Sequence, residues 1–405
     1  MSDVVRPDDV RRGNRGRVIS AVRTNGLISR TDIGRETGLS AATVSTIAGD
    51  LIAERILVRP RASGGSAIGR GRPKVALAIN PRAALVGVAM FQINHVAAAI
   101  IDYAGNIVGQ VSRNLPTLEA GPDQIRASLS RCLDDVLQMA EGRLSRIAVA
   151  VQGVTDIDGT KLLWSPVTRA RDLPIGQWLE EAYGVPASVS NDCDQMARAL
   201  NWREADVYGP NFAAILLSHG VGMGLFLHGR LINGTRSSAS EFGHMVHIPE
   251  GALCRCGRRG CIEAYAGDYA IARAARGEAE DTPPPDLIEP PDIAAIAGAA
   301  RAGDGPARAA LAAAGRALGT GLAGLYALVD PFPVALIGGG TAAFDLIERP
   351  LRDALGGTMG GGDARDITID CYPDERPLVL EGCAVKALLQ LDGDFAATAI
   401  ETQGA

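Results

Sequence analysis

The sequence predicts an α/β fold, with a small helical module ahead of a larger body of alternating strands and helices. Three observations carry that expectation. Residues 12–55 read as helices and tight turns; from about residue 75 short β-rich apolar runs alternate with helical stretches; and three cysteines and a histidine crowd into residues 244–261. Strands followed by helices cover a sheet with helical layers, which is the α/β arrangement.

At 405 residues the chain exceeds one ordinary hydrophobic core, and 47% hydrophobic residues supply material for more than one. Two domains are expected, residues 1–80 and residues 81–405. No apolar stretch long enough to cross a bilayer is free of charge, so no membrane span is expected. The opening MSDVVRPDDVRRGNRGR lacks the apolar segment of a secretory signal, and an odd 7 cysteines point to a reducing compartment. The expected location is the cytoplasm, on the nucleoid when bound to DNA. Net charge is −6, yet residues 1–80 hold 14 Lys and Arg against 7 Asp and Glu, a balance of +7 that leaves −13 for the rest. A modular nucleic-acid binder distributes charge this way; by charge alone, a solvated basic face with no partner would look the same.

Ser29-Arg30-Thr31-Asp32 reads as a capping box, with Asp in the usual Glu or Gln position, starting a helix that runs through Thr37. Gly38-Leu39-Ser40 breaks the chain, and Ser40 caps a second helix from Ala41 to about Glu54. Val44, Ile47 and Leu51 fall on one stripe of that helix, with Ile33 and Leu39 closing the core beneath. Its outward face offers Ser40, Ala42, Thr43, Ser45 and Thr46, small uncharged residues that permit close approach and bring hydroxyls to phosphates or bases. Leu57-Val58-Arg59 and Val75–Ile79 read as the paired strands of a wing. The module is therefore expected to be a winged helix-turn-helix that lays its second helix in a major groove. Between those strands, Gly69-Arg70-Gly71-Arg72-Pro73-Lys74 carries the Arg-Gly-Arg-Pro core of a minor-groove segment. Glycine lets the backbone lie deep there, and Arg70 and Arg72 meet the negative potential of the groove; a flexible basic linker is the alternative. The expected partner is a double-stranded DNA operator, read by a homodimer or homotetramer because half-sites come in pairs.

In the body, strands are expected near 85–91, 96–102, 147–153, 187–192, 212–218 and 332–340, and helices over 123–141, 194–205 and much of 263–330. The Pro-rich stretch 282–291 reads as a surface loop. His244, Cys254, Cys256 and Cys261 have the spacing H-x9-C-x-C-x4-C. Three thiolates and an imidazole suit a closed tetrahedral zinc site, with one ion per chain and a structural role because every ligand is protein. Gly257 and Gly260 supply the turns, and His247 is a rival fourth ligand. Cys132, Cys193, Cys371 and Cys383 are scattered and read as core or surface residues.

SEFGHM at 240–245, CRCGRRGC at 254–261 and SND at 190–192 are similar to motifs of the ROK family (repressors, open reading frames and sugar kinases), over nearly the whole chain from about residue 13 to 392. With the helical module in front, the chain resembles the repressor branch, which includes regulators of xylose, glucose and N-acetylglucosamine use. The resemblance implies an actin/hexokinase-like body of two α/β lobes with a sugar cleft between them. By position it implies effector contacts from Asn191, Asp192, Glu241, His244 and Glu263. Such groups pair with vicinal hydroxyls, and leaving one unpaired is costly, so a site of this kind is selective. His244 would hold zinc through one ring nitrogen and a sugar hydroxyl through the other.

The departures from that resemblance bear on activity. Kinases of the family open with an Asp-x-Gly-x-Thr phosphate loop; the matching positions here are Ala89, Phe91 and Ile93. Phe91 is expected to fill the phosphate space, and Ala89 offers no carboxylate for magnesium. His219 stands where the second loop usually has a hydroxyl, and Gln152 where a proline precedes Gly153. The expectation is a pseudo-kinase with a vestigial Asp192: a repressor of carbohydrate genes that responds to a sugar or sugar phosphate. The competing reading is an active ATP-dependent sugar kinase that also binds DNA. Asp192, at the general-base position of the kinase branch, favours it; the lost phosphate cradle opposes it, because charge neutralisation and positioning supply nearly all phosphoryl-transfer catalysis. A zinc sensor is a third reading, opposed by how rarely a closed structural site empties.

Overall fold

The computed structural model describes residues 7–60, 76–234, 240–285, 292–356 and 366–398. The N-terminal elements are α1 (Pro7–Asn25), β1 (Ile28–Ser29), α2 (Arg30–Thr37), α3 (Ala41–Ala53), β2 (Leu57–Val58) and β3 (Ala76–Ile79). The predicted caps form: Ser29 Oγ accepts the Asp32 N–H at 3.2 Å, and Ser40 Oγ accepts that of Thr43 at 3.1 Å. Val44, Ile47 and Leu51 are buried against Ile33, as the stripe requires, and Val18, Ile19 and Val22 of α1 complete this core. β3 pairs antiparallel with both β1 and β2. The second helix ends at Ala53, one residue before its expected limit, and Arg70 and Arg72 lie outside the described residues.

The body has two lobes. The first contains β4 (Leu85–Gln92), β5 (His95–Asp102), β6 (Ile107–Asn114), α4 (Pro122–Leu137), β7 (Leu144–Val151), the small pair β8 (Val154–Thr155) and β9 (Leu162–Trp164), α5 (Ile175–Tyr183), β10 (Ala187–Asn191), α6 (Asp192–Arg203) and α7 (Ala205–Tyr208). The second contains β11 (Phe212–Leu217), β12 (Val221–Leu227), β13 (Arg230–Leu231), α8 (Glu263–Ala266), α9 (Asp268–Ala275), α10 (Ile293–Arg301), α11 (Gly305–Tyr326), β14 (Val334–Ile337), α12 (Phe344–Leu355) and β15 (Ile369–Tyr372). The strand orders are β10-β7-β4-β5-β6 and β13-β12-β11-β14-β15. Each lobe lays down three antiparallel strands, then adds two parallel strands beside the first of them. The central β4 and β11 are buried along their whole length, as strands covered on both faces must be, whereas the edge strand β6 is largely exposed and polar.

The long helix α13 (Arg376–Thr398) packs on α6 and on strands β4 and β7 of the first sheet and reaches α1 of the N-terminal module. Gly382 lies against the Gln195 backbone of α6, where a side chain on residue 382 would collide with the carbonyl oxygen. At its far end Asp392 accepts from Arg23 of α1 at 2.6 and 2.7 Å and from the Tyr103 hydroxyl at 2.6 Å. Apolar residues of α1, α6, α13 and both sheets form one continuous core. The helix therefore joins the N-terminal module to the strand ends that carry the site.

Candidate functional site

Six parallel or central strands, β4, β7, β10, β11, β14 and β15, end at the crevice between the lobes. This is where open α/β sheets place ligands. The crevice has two connected compartments that share Gln152, Ser218 and His219: an open cleft of about 900 Å³ and a narrower chamber of about 120 Å³. Asn191, Asp192, Glu241, His244 and Glu263, expected together from sequence, all line the chamber.

Asn191 ends β10 and caps α6: its Oδ1 accepts from Cys193 N at 2.8 Å, and its Nδ2 donates to Gly153 O at 2.9 Å. Its side chain is thus engaged by the fold, with one amide hydrogen left over. Asp192 is 3% exposed; Oδ1 accepts from Cys193 N at 2.9 Å, while Oδ2 meets no hydrogen-bond partner among the described residues. Burial pushes its carboxyl up to about 7, against that backbone hydrogen bond, and the charge of Glu375 adds to the rise. Glu263 opens α8, is buried, and accepts from Val221 N at 3.2 Å. Glu241 precedes a single helical turn that ends at His244, with its carboxylate 3.8 Å from His244 Nε2.

His244, Cys254, Cys256 and Cys261 bring one ligand atom each to within 4.8 Å of one another. His247 is outside this group; its ring packs edge-on against Tyr265 instead. Local sequence explains the convergence. Gly257 N donates to Cys254 O at 2.9 Å and closes a tight turn between the first two thiols and the third. Gly260 has φ 76°, and a side chain there would run into the Ile248 carbonyl, so the return before Cys261 requires glycine. His244 Nδ1 lies 3.7 Å from Cys254 Sγ, on the cluster side, while Nε2 faces Glu241. A set of three thiols and an imidazole at this spacing fits a tetrahedral soft-metal site.

The structure corrects one detail of the phosphate-loop reading. Phe91 does not occupy the cleft: it is buried with Ala89 in the core of the first lobe, beneath α4, because alternate residues of β4 share that face. Gln92, Ile93 and His95 of the β4–β5 hairpin line the cleft instead. The hairpin amides that a phosphate loop would present are engaged inside the protein. Ile93 N donates to Gln152 Oε1 at 3.1 Å, and Asn94 N to Thr117 Oγ1 at 3.0 Å. On the facing turn, His219 Nδ1 pairs with Ser218 Oγ at 2.9 Å, and burial pushes the imidazole down to about 4. Sequence singled out Gln152 only as an odd residue; its role as a cap on the hairpin depends on a contact across 59 positions.

A family model described as the ROK family matches residues 92–359. A glucokinase of Streptomyces coelicolor is 29% identical over 288 residues, covering 67% of this chain and 87% of that protein. The DNA-binding transcriptional repressor Mlc of Escherichia coli is 24% identical over 352 residues, covering 86% of each. Among solved structures, a ROK family transcriptional regulator described as a homologue of the E. coli protein superposes with TM-score 0.78 at 24% identity, over 96% of this chain and 98% of its own. Coverage that complete includes the N-terminal helices.

Proposed function

The chain belongs to the ROK family, with the family's actin/hexokinase-like α/β fold, and from that premise we propose that it is a DNA-binding transcriptional repressor of carbohydrate-metabolism genes. Its two-lobed crevice binds a sugar or sugar-phosphate effector and no longer transfers phosphate. The N-terminal module carries this reading. We take α2, the turn at Gly38–Ser40 and α3 as the helix-turn-helix, and the β2–β3 pair as the wing. On α3, Ala42, Ser45 and Thr46 are exposed beside Ser40 and Thr43, so the second helix presents a flat hydroxyl-bearing face to a groove. Arg70 and Arg72 add minor-groove contacts, and the protein acts as a homodimer or homotetramer in the cytoplasm. Among the described residues no helix is long and apolar enough to cross a membrane.

In this reading the Cys and His cluster holds one structural zinc ion, which fixes the loop that carries His244 beside the chamber. Asp192 and Asn191 come from the first lobe, Glu241, His244 and Glu263 from the second, so a sugar bonded to both sets ties the lobes together. An effector of this type shifts DNA affinity by its preference for one arrangement, typically about 1–3 kcal/mol. One observation favours the kinase alternative: Asp192 sits in the chamber with a raised pKa of about 7, as a general base would. Against it, the hairpin amides at Ile93 and Asn94 already have acceptors, so the first hairpin does not offer these two amides to a phosphate donor.

The test is selection of bound sites from random duplex DNA by the full chain, followed by operator binding with and without each candidate sugar. Glu241→Ala is expected to bind the operator normally and to ignore the sugar. Failure to enrich any DNA sequence overturns the regulator reading; turnover of a hexose with ATP at ordinary enzyme rates overturns the loss of kinase chemistry.

A further inference from the structure

The crevice holds two buried carboxyls, each with one oxygen that meets no hydrogen-bond partner among the described residues. Asp268 opens α9 at the base of the 900 Å³ cleft. It is 5% exposed, and its Oδ1 meets no hydrogen-bond partner among the described residues. Asp192, in the adjoining chamber, is in the same condition at Oδ2. Half-buried Glu375, on the cleft wall, lies close enough for its charge to act on both. Burying a carboxyl with an unanswered oxygen is costly, and placing three near one another adds repulsion.

The Arg255 charge reaches Asp268 and partly offsets its burial, but the donors of the neighbouring cations are engaged elsewhere. Arg255 donates to His219 O at 2.6 Å and stacks over the Tyr269 ring at 4.4 Å. Arg376 donates to both oxygens of Asp374, at 3.0 and 3.2 Å. His219 and His95 are both held below the usual imidazole range, by burial first and then by Arg255 and Arg376 respectively, so neither offers a positive charge at neutral pH. A phosphate seated beside Asp268 would be repelled by these carboxyls when they are ionised.

We propose that the crevice recognises an amine-bearing carbohydrate, whose ammonium group seats beside Asp268 in the open cleft, next to Ser218, which the two compartments share. This rests on the effector-site reading above and narrows it to one chemical class. An ammonium supplies the missing donor and adds its charge to that of Arg255. A divalent metal suits the place less well: it needs several oxygens converging on one point, and the sole group of His, Cys, Asp or Glu found converging so among the described residues is the His244–Cys254–Cys256–Cys261 cluster. A carbohydrate suits it because the chamber, at about 120 Å³, is smaller than typical ligand sites of roughly 300–1,000 Å³ and opens directly into the cleft. The ligand extends from the hydroxyl-pairing residues of the chamber toward Asp268.

The experiment is calorimetry at neutral pH on the full chain with matched pairs: glucose and glucosamine, galactose and galactosamine, mannose and mannosamine, with N-acetylglucosamine, glucose 6-phosphate and magnesium chloride as further arms. At least one amine is expected to bind about tenfold or more tightly than its parent sugar. N-acetylglucosamine, which keeps the shape but loses the charge, is expected to match glucose, and glucose 6-phosphate to bind more weakly. Asp268→Asn is expected to bring the amine to its parent's affinity while leaving the parent unchanged; Glu375→Gln, on the cleft wall, serves if that variant does not fold. Equal affinities within every pair, or tighter binding of glucose 6-phosphate, overturn the amine proposal and leave the carbohydrate reading standing. Magnesium binding that disappears in Asp268→Asn replaces it with a metal site. Binding by no sugar in any arm overturns both.

Discussion

Cutting the joint between α13 and α1 should loosen the N-terminal module without unfolding the body. Asp392 accepts two bonds from the Arg23 guanidinium, at 2.6 and 2.7 Å, and one from Tyr103, and the two charged side chains are 10% and 6% exposed. Asp392→Ala leaves the buried Arg23 guanidinium without its counter-charge, holding only the Tyr103 carbonyl at 3.0 Å and the Tyr103 ring, and takes the acceptor from the Tyr103 hydroxyl. Breaking a buried pair in this way costs about 3–5 kcal/mol. Replacing both partners, as Arg23→Met with Asp392→Leu, removes the unanswered charge along with the bond and is expected to be far milder. Global denaturation of a multidomain chain does not report which part has loosened. Hydrogen exchange read on the α1 amides is direct. A loss of about 3 kcal/mol speeds exchange through local opening roughly 100-fold, while the β4 and β11 amides keep their protection. If α1 protection in Asp392→Ala stays within threefold of wild type, or the double replacement is as damaging as the single, the joint is not what holds the module.

Three further outcomes are expected. Cys256→Ser, or removal of the metal by a chelator, should lower the melting temperature by several degrees and displace one zinc per chain, read by elemental analysis; an unchanged melting temperature with zinc absent removes the structural role. Asp192→Asn should equal wild type in stability at pH 4 and exceed it by a few kcal/mol at pH 8: the carboxyl's folded value of about 7 lies above the unfolded one, so the native state holds the proton more tightly and wild type loses stability as pH rises between the two. A difference that shrinks with pH contradicts the burial of an ionised Asp192. Replacing Arg70 and Arg72 with alanine should weaken operator binding and reduce its salt slope by about 2; an unchanged slope makes that stretch a linker only.

Much of this was legible from local sequence because local rules decide it. The caps at Ser29 and Ser40 and the stripe Val44, Ile47, Leu51 need only neighbours along the helix. The Cys and His cluster needs four ligands within 18 positions. The duplicated strand order of the two lobes left no sequence repeat, because β4 and β11 each bury side chains fitted to a different core. Phe91 was misplaced because its face on β4 is set by pairing with β5 and β7, which a one-dimensional reading cannot register. Gln152 capping Ile93, Asp268 at the cleft floor and Asp392 on Arg23 all depend on partners far along the chain, and no periodicity announces them.

The crossing of α13 over α6 at Gly382 has a consequence for the order in which the protein is completed. The N-terminal module is synthesised before the body, yet its anchor, Asp392, lies 369 positions after Arg23. At about 5–20 residues per second, roughly 20–75 s separate the two. During that interval the module can fold around its own core of Val18, Ile19, Val44 and Leu51, but its position relative to the lobes is unset. Orientation arrives only when α13 docks, and because the close contact at Gly382 admits no larger residue, that helix has one depth at which to settle against α6. Nascent chains that already bind DNA would do so before they can report on any ligand.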